Sequence, residues 1–397
     1  MSYVPPYRRA HSSSKPETPP LPAQRQNYKS KYPKLGVDIK YAKSSIHKWF
    51  AADENANPPD NLQLEFKPFA GESFAHLRDE KLYTISVNPH PVDDVEIDMR
   101  SLTINETHSW RYTWEKIKGD LREAFDNVEN YVKMSKPSIS ARFGKILFHG
   151  GGFAWNGCLS SDILEKKLNG ERGLQNPLRK TFDTHIPKDI FEALKERSIA
   201  GLASSTLKEK VVYVIQVEDD LNPGVVLRLT CRKKITDDKQ LELKKIEQIP
   251  VRHFVADISC LDKLMDVCLM VTTEQYLTDL SEKDKESIEG IVESACIEES
   301  AKGGLHCPLG GSVRNRYKVK GAMILNVTTI VGKTWNMKFQ HANRGEFIAS
   351  SGRVTNEVNL KIKSITKYLR DQRQWEEDNI MNMMEEVFKW TWMEGLQ

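Results

Sequence analysis

Between residues 109 and 134 the sequence SWRYTWEKIKGDLREAFDNVENYVKM sets Trp114, Ile117, Leu121, Phe125, Val128 and Val132 three and four positions apart. That spacing gathers apolar side chains on one face of a helix, which needs a sheet or another helix to cover it. Pro137 then separates the helix from a strand, SISARFGKILF. A second helix is predicted over IPKDIFEALKERS, with Pro187 in its first turn and Ile190 and Leu194 on one face.

The pattern then changes to a period of two. KVVYVIQVEDD, VVLRLTCRKKI and QLELKKIEQI are separated by the turn-rich segments LNPG and TDDK, and RHFVADIS and MDVCLMVTT continue the series. Ser281 with Asp284 caps a further helix carrying Ile288, Ile291, Val292 and Ala295. Strands follow at RYKVKGAMILNVTTI, KTWNMKFQ and EVNLKIKSI, and a long helix runs to about Met393. The succession predicts an α+β fold of antiparallel sheets with packed helices, in two sheet-plus-helix units behind a disordered N-terminal tail. The domains expected are a basic, Pro/Ser-rich tail over 1–60, an α+β domain with the meander over 61–302, and a β-rich unit ending in the long helix over 303–397.

Charge sharpens this picture. Residues 1–50 hold ten Lys or Arg against two Asp or Glu, a balance of +8, whereas the chain as a whole is +3, so the remainder is mildly acidic. Seven of the 18 prolines precede Lys34, a composition too poor in apolar groups to offset the entropy of ordering. Within this tail YVPPYRR resembles the leaders of some RNA helicases and other mRNA-associated proteins, and Arg8 and Arg9 are its cations. SSIHKWF sets Trp49 and Phe50 beside basic residues as a docking motif. With no apolar leader segment and no run of about 18 apolar residues, an intracellular protein, cytoplasmic or nuclear and away from membranes, is expected. Six scattered cysteines without C-x-x-C spacing fit reduced thiols.

Within the strands the alternation sorts charge. Arg228, Arg232 and Lys234 fall opposite Val225, Leu227, Leu229 and Cys231; Lys318 and Lys320 opposite Tyr317 and Val319; Lys338 opposite Met337 and Phe339; Lys361 and Lys363 opposite Leu360 and Ile362. Such basic faces are either ordinary solvated sheet surfaces or phosphate-contacting ones. The terminal helix leaves Trp390 and Trp392 as candidate partner contacts beyond its core stripe.

Motifs for chemistry are incomplete. HGGGF, residues 149–153, resembles the oxyanion-hole motif of esterases related to hormone-sensitive lipase, which implies acyl transfer; the G-x-S-x-G elbow such enzymes need is missing, so the glycines read as a turn. VGKT, residues 331–334, lacks the first glycine of a phosphate-binding loop and lies between strands. NGERGLQ contains a G-x-x-G as in KH domains, but Glu171 and Pro177 argue against it. His306 and Cys307 with Cys296 fall short of four paired metal ligands. No catalytic residue, metal or cofactor is assigned. The function expected is therefore a non-catalytic intracellular adaptor associated with RNA, contacting the phosphate backbone through Arg8, Arg9, Arg228, Arg232, Lys234, Lys318, Lys320, Lys361 and Lys363, and protein partners through Trp49, Phe50, Trp390 and Trp392. The alternatives are a protein scaffold without nucleic-acid binding and, third, an esterase-like hydrolase.

Overall fold

The computed structural model describes residues 39–52, 62–69, 81–87, 108–129, 135–150, 158–169, 178–200, 206–261, 263–275, 277, 280–308, 316–346, 351–372 and 376–390. One compact unit spans Lys34–Gln397. In chain order the first half comprises β1 (Lys40–Ala52), β2 (Gln63–Pro68), β3 (Tyr83–Val87), α1 (His108–Glu129), β4 (Ser135–His149), β5 (Cys158–Ser160), α2 (Ser161–Asn169), β6 (Arg179–Asp183) and α3 (Lys188–Ala200). The second half comprises β7 (Thr206–Asp219), β8 (Val226–Lys233), β9 (Leu241–Gln248), β10 (Val251–Cys260), β11 (Asp266–Gln275), α4 (Glu282–Ser294), the short pair β12 (Cys296–Ile297) and β13 (Leu305–His306), β14 (Tyr317–Val331), β15 (Trp335–Glu346), β16 (Ser351–Ile362), α5 (Lys363–Gln372) and α6 (Glu377–Trp390).

The expectation of two sheet-plus-helix units is corrected here. Fourteen strands among the described residues form one mixed sheet, ordered β1-β10-β11-β4-β16-β15-β14-β7-β8-β9, with β2, β3, β5 and β6 branching from it. The reason is long-range pairing: β14 sits between β7 and β15, and β16 pairs with β4, so the division expected at 302/303 falls inside a single hydrogen-bonded ladder. The tail expected over 1–60 also ends sooner, because Lys40–Ala52 is a strand paired in parallel with β10. The other residues of that tail lie outside the described ones.

The sheet curls back on itself. β9 passes through Ile249 and Pro250 straight into β10, and just beyond β11 the Leu277 amide donates to the Ile246 carbonyl of β9 at 3.1 Å. Helices cover the outside. Trp114, Ile117, Leu121 and Val128 of α1 pack with Phe191 and Leu194 of α3, Ile365 of α5 and Ile380 and Met384 of α6 onto the apolar faces of β4, β10, β11, β15 and β16. Ile288, Ile291 and Val292 of α4 cover Ile215, Leu227, Leu229 and Tyr317. Full burial of each such side chain is worth about 1.5–3 kcal/mol, which is the force that pins this face outward under the helices. The Ser281 hydroxyl accepts from the Asp284 amide at 3.2 Å and so caps α4.

Strand β4 is the hinge of the design. Its first half pairs with β11 and β16, and its second, Lys145–His149, pairs with β6 in the branch sheet. At the change of partners stands Gly144, where a Cβ would lie 1.9 Å from the Asp183 carbonyl oxygen, so only glycine permits the approach.

Candidate active site

Because the outer face is apolar and covered, the polar face of the same strands is turned inward. It walls a cavity of about 340 Å³, which continues into a second space of about 280 Å³. Arg228, Glu274, Lys338, Gln340 and Lys361 line both. The first space adds Arg142 from β4, Arg252 from β10, Arg344 from β15, and Arg353 and Glu357 from β16; the second adds Lys210, Lys245 and Glu247. The two spaces share a wall of side chains and together make a tunnel-like cavity, arginine-rich in the first and lysine-rich in the second.

Part of this charge is paired. Arg344 holds Glu357 with both nitrogens, Nη1 to Oε1 at 2.6 Å and Nη2 to Oε2 at 2.9 Å. Thr355 and Thr184 donate their hydroxyls to the same carboxylate. Burial pushes the Glu357 carboxyl up, but the charge and hydrogen bonds of Arg344, with Arg142 beyond, outweigh it and keep it below the usual range. Arg353 donates to Asp183 at 2.9 Å, and Lys361 lies 3.6 Å from Glu274.

The remainder is not. Among the described residues no ion pair engages Arg142, Arg228 or Lys338, and Arg228 Nε is buried without a hydrogen-bond partner, as is Arg344 Nε. Burial, then repulsion from Arg252, pushes Arg142 down from the usual arginine range; burial does the same to Arg228. Lys338 is lowered by burial first and by the charges of Lys361 and Lys210 next. Glu357 offsets part of this for Arg142, Glu247 and Glu274 for Arg228, and Glu274 for Lys338, so the three cations are buried near carboxylates without a direct ion pair.

The sequence-predicted residues divide sharply. Arg228 and Lys361 line the tunnel. Arg232, four residues from Arg228, is exposed and bound to Glu242 at 2.7 Å; Lys234 reaches Gln240, Lys318 pairs with Asp220 and Lys320 with Glu218. Lys363 donates to the Gly332 carbonyl at 2.6 Å and closes the end of a hairpin. That hairpin is the VGKT segment, whose Gly332 amide bonds back to Trp335, so it is a turn and not a phosphate loop. Trp49 and Phe50 are corrected from docking residues to core: both are fully buried, and the Trp49 indole donates to Ser259 at 3.0 Å. Arg8, Arg9, Trp392, the G-x-x-G and the glycines after Gly150 lie outside the described residues, as does the side chain of Trp390. His149 is buried with Nε2 2.9 Å from the Thr181 hydroxyl, not presented to a cleft. Burial raises the Cys307 thiol to about 12. No group of three His, Cys, Asp or Glu able to hold a metal occurs among the described residues.

Arg142, Arg252, Arg344, Arg353, Glu274 and Glu357 escaped the sequence reading. Their signal was present in strands such as RVTNEVNLKIK, where Arg353, Thr355, Glu357, Asn359 and Lys361 alternate with smaller or apolar residues.

The expectation of a non-catalytic adaptor that contacts phosphate through open basic faces is corrected: Arg228 and Lys361 are enclosed in a cavity with Glu274, whereas Arg232, Lys234, Lys318 and Lys320 lie outside it, each with a side-chain partner. Several solved structures are similar to this chain at low identity. The S. pombe Pct1 RNA triphosphatase has a TM-score of 0.42 at 10% identity, covering 70% of this chain and 89% of its own. The same enzyme in complex with the Spt5 CTD gives 0.43 at 11%, covering 70% and 92%. The Mimivirus capping enzyme triphosphatase gives 0.33 at 8%, covering 69% and 96%. No curated protein matches the sequence. Among the described residues no helix is long and apolar enough to cross a membrane. A family model matches residues 34–395, nearly the whole of the compact unit that carries the tunnel, and the chain belongs to that family, described as a domain of unknown function, DUF7903.

Proposed function

We propose that the tunnel is an active site that binds a linear phosphate chain end-on and hydrolyses its terminal anhydride. The observation that carries this reading is a set of buried cations without ion-pair partners, Arg142, Arg228 and Lys338, lining one cavity of about 340 Å³. Arginine forks match phosphate oxygens in pairs, and lysine supplies point charges along a chain. In the reaction a water oxygen bonds to the terminal phosphorus while the bond from that phosphorus to the bridging oxygen breaks, releasing orthophosphate and a chain one phosphate shorter. Charge grows on the bridging oxygen, where Arg228 and Lys338 stabilise it. Glu274, which lines both chambers, takes the water proton. A triphosphate is such a chain, and the 5′ end of an RNA is one carrier of it.

The test is release of orthophosphate from tripolyphosphate, ATP and 5′-triphosphorylated RNA in the presence of Mg²⁺ or Mn²⁺. Activity on at least one is expected, with Arg228→Ala and Lys338→Ala each lowering kcat/KM by about a hundredfold. Failure of all three to bind or react overturns the reading.

A further inference from the structure

The arginine-rich end of the tunnel has a feature that a bare phosphate chain would not use. Ile39 lines the cavity there and is 40% exposed. Tyr41, two residues on and therefore on the same side of the extended chain, is 43% exposed. The pairing of β1 with β10 sets Tyr41 beside Arg252, a lining residue, whose guanidinium donates to the Tyr41 hydroxyl at 3.4 Å and lies 5.7 Å from the ring centroid. The His47 ring stands 4.6 Å from the Tyr41 ring at 56°. Further along the same strand Trp49 and Phe50 are fully buried, so β1 does not rely on Tyr41 for its anchorage. The lysine-rich space at the other end is lined by no aromatic side chain among the described residues.

We infer that Ile39 and Tyr41 form a stacking ledge for a nucleobase at the mouth of the tunnel, so that the phosphate chain it admits is the one carried by a nucleotide. This rests on the phosphate-chain reading of the lumen and gives it a direction. The base lies on Tyr41, the first phosphate meets Arg252, and the terminal phosphate points inward toward Arg228 and Lys338. Aromatic rings accept any base through their π-faces, so the ledge selects nucleotides over inorganic chains without selecting among bases.

The experiment compares dissociation constants of the full chain for three probes: inorganic tripolyphosphate, a non-hydrolysable ATP analogue and a short RNA with a 5′-triphosphate. The two nucleotide probes are expected to bind more tightly than tripolyphosphate. Tyr41→Ala should reduce that preference by at least about fivefold, and Tyr41→Phe, which keeps the ring, should preserve it. A larger preference for the RNA assigns the ledge to a polymer end, and equal preferences assign it to a mononucleotide. An unchanged ratio in Tyr41→Ala overturns the ledge while tripolyphosphate binding still upholds the tunnel. Loss of tripolyphosphate binding in the unaltered protein overturns both.

Discussion

Arg344 on β15 grips Glu357 on β16 through both carboxylate oxygens, at 2.6 and 2.9 Å, in the wall of the tunnel. The pair neutralises one arginine of the lumen, while Arg142 feels the same carboxylate from farther off without a direct ion pair. Removing Glu357 strands a buried cation, which typically costs about 3–5 kcal/mol. Glu357→Ala should therefore lower the denaturant midpoint strongly, and Arg344→Met in the same chain should restore part of the loss. Added tripolyphosphate should also stabilise Glu357→Ala more than the unaltered protein, since the freed Arg344 gives the anion another partner. Equal stability of the single and unaltered chains would count against a structural pair.

Lys338 ties affinity to pH. Burial and the charges of Lys361 and Lys210 hold its ammonium below the usual lysine range, and a bound anion would raise it again. The charged form binds, so affinity for tripolyphosphate should fall as pH rises through the depressed value, with proton uptake on binding in that window. Calorimetry in buffers of different ionisation enthalpy reads the uptake directly. Lys338→Met should abolish it.

The neighbours Arg228 and Arg232 separate lumen from surface. Arg228 faces the cavity, and Arg232, on the same side of β8, is exposed and paired with Glu242. Arg228→Gln should weaken tripolyphosphate binding by about tenfold or more, in line with a lost charge-assisted contact, whereas Arg232→Gln should change it little. Comparable losses would return the basic residues to a diffuse electrostatic role.

Asp219 predicts the acid behaviour of the fold. Arg316 holds it with Nε at 2.8 Å and Nη2 at 2.7 Å and also reaches Asp284 of α4 at 2.6 Å. The Arg316 hydrogen bonds, against burial, keep the Asp219 carboxyl far below the usual range. A carboxylate with a depressed folded-state pKa adds stability that is present above its unfolded pKa of about 4 and is lost as pH falls toward the folded value. Arg316→Gln should thus destabilise by about 1.5–3 kcal/mol near neutral pH, and its denaturation curve should converge on that of the unaltered protein in strong acid. A deficit that does not narrow with falling pH would contradict this.

Two glycines should respond to alanine in opposite directions. Gly144→Ala places a methyl 1.9 Å from the Asp183 carbonyl and should prevent stable folding or lower Tm by many degrees. Gly119→Ala, on the exposed side of α1 with nothing within 4 Å, should stabilise by up to about 1 kcal/mol.

The sequence by itself determined the local grammar. Spacings of three and four placed α1 with Trp114, Ile117 and Leu121 on its buried face, Ser281 marked the start of α4, and the period of two separated Leu227, Leu229 and Cys231 from Arg228. These are properties of neighbours along the chain, and propensity and side-chain direction suffice to read them. Only the tertiary structure decided which face became the inside. Alternation assigns Arg228 and Leu229 to opposite sides of a strand but is silent on whether water or a curled sheet meets the charged side. That choice comes from pairings between distant segments: β1 with β10, β4 with β16 and β7 with β14. It comes also from the helices that cover the apolar face from without, so the charges, turned from solvent, meet one another across a lumen.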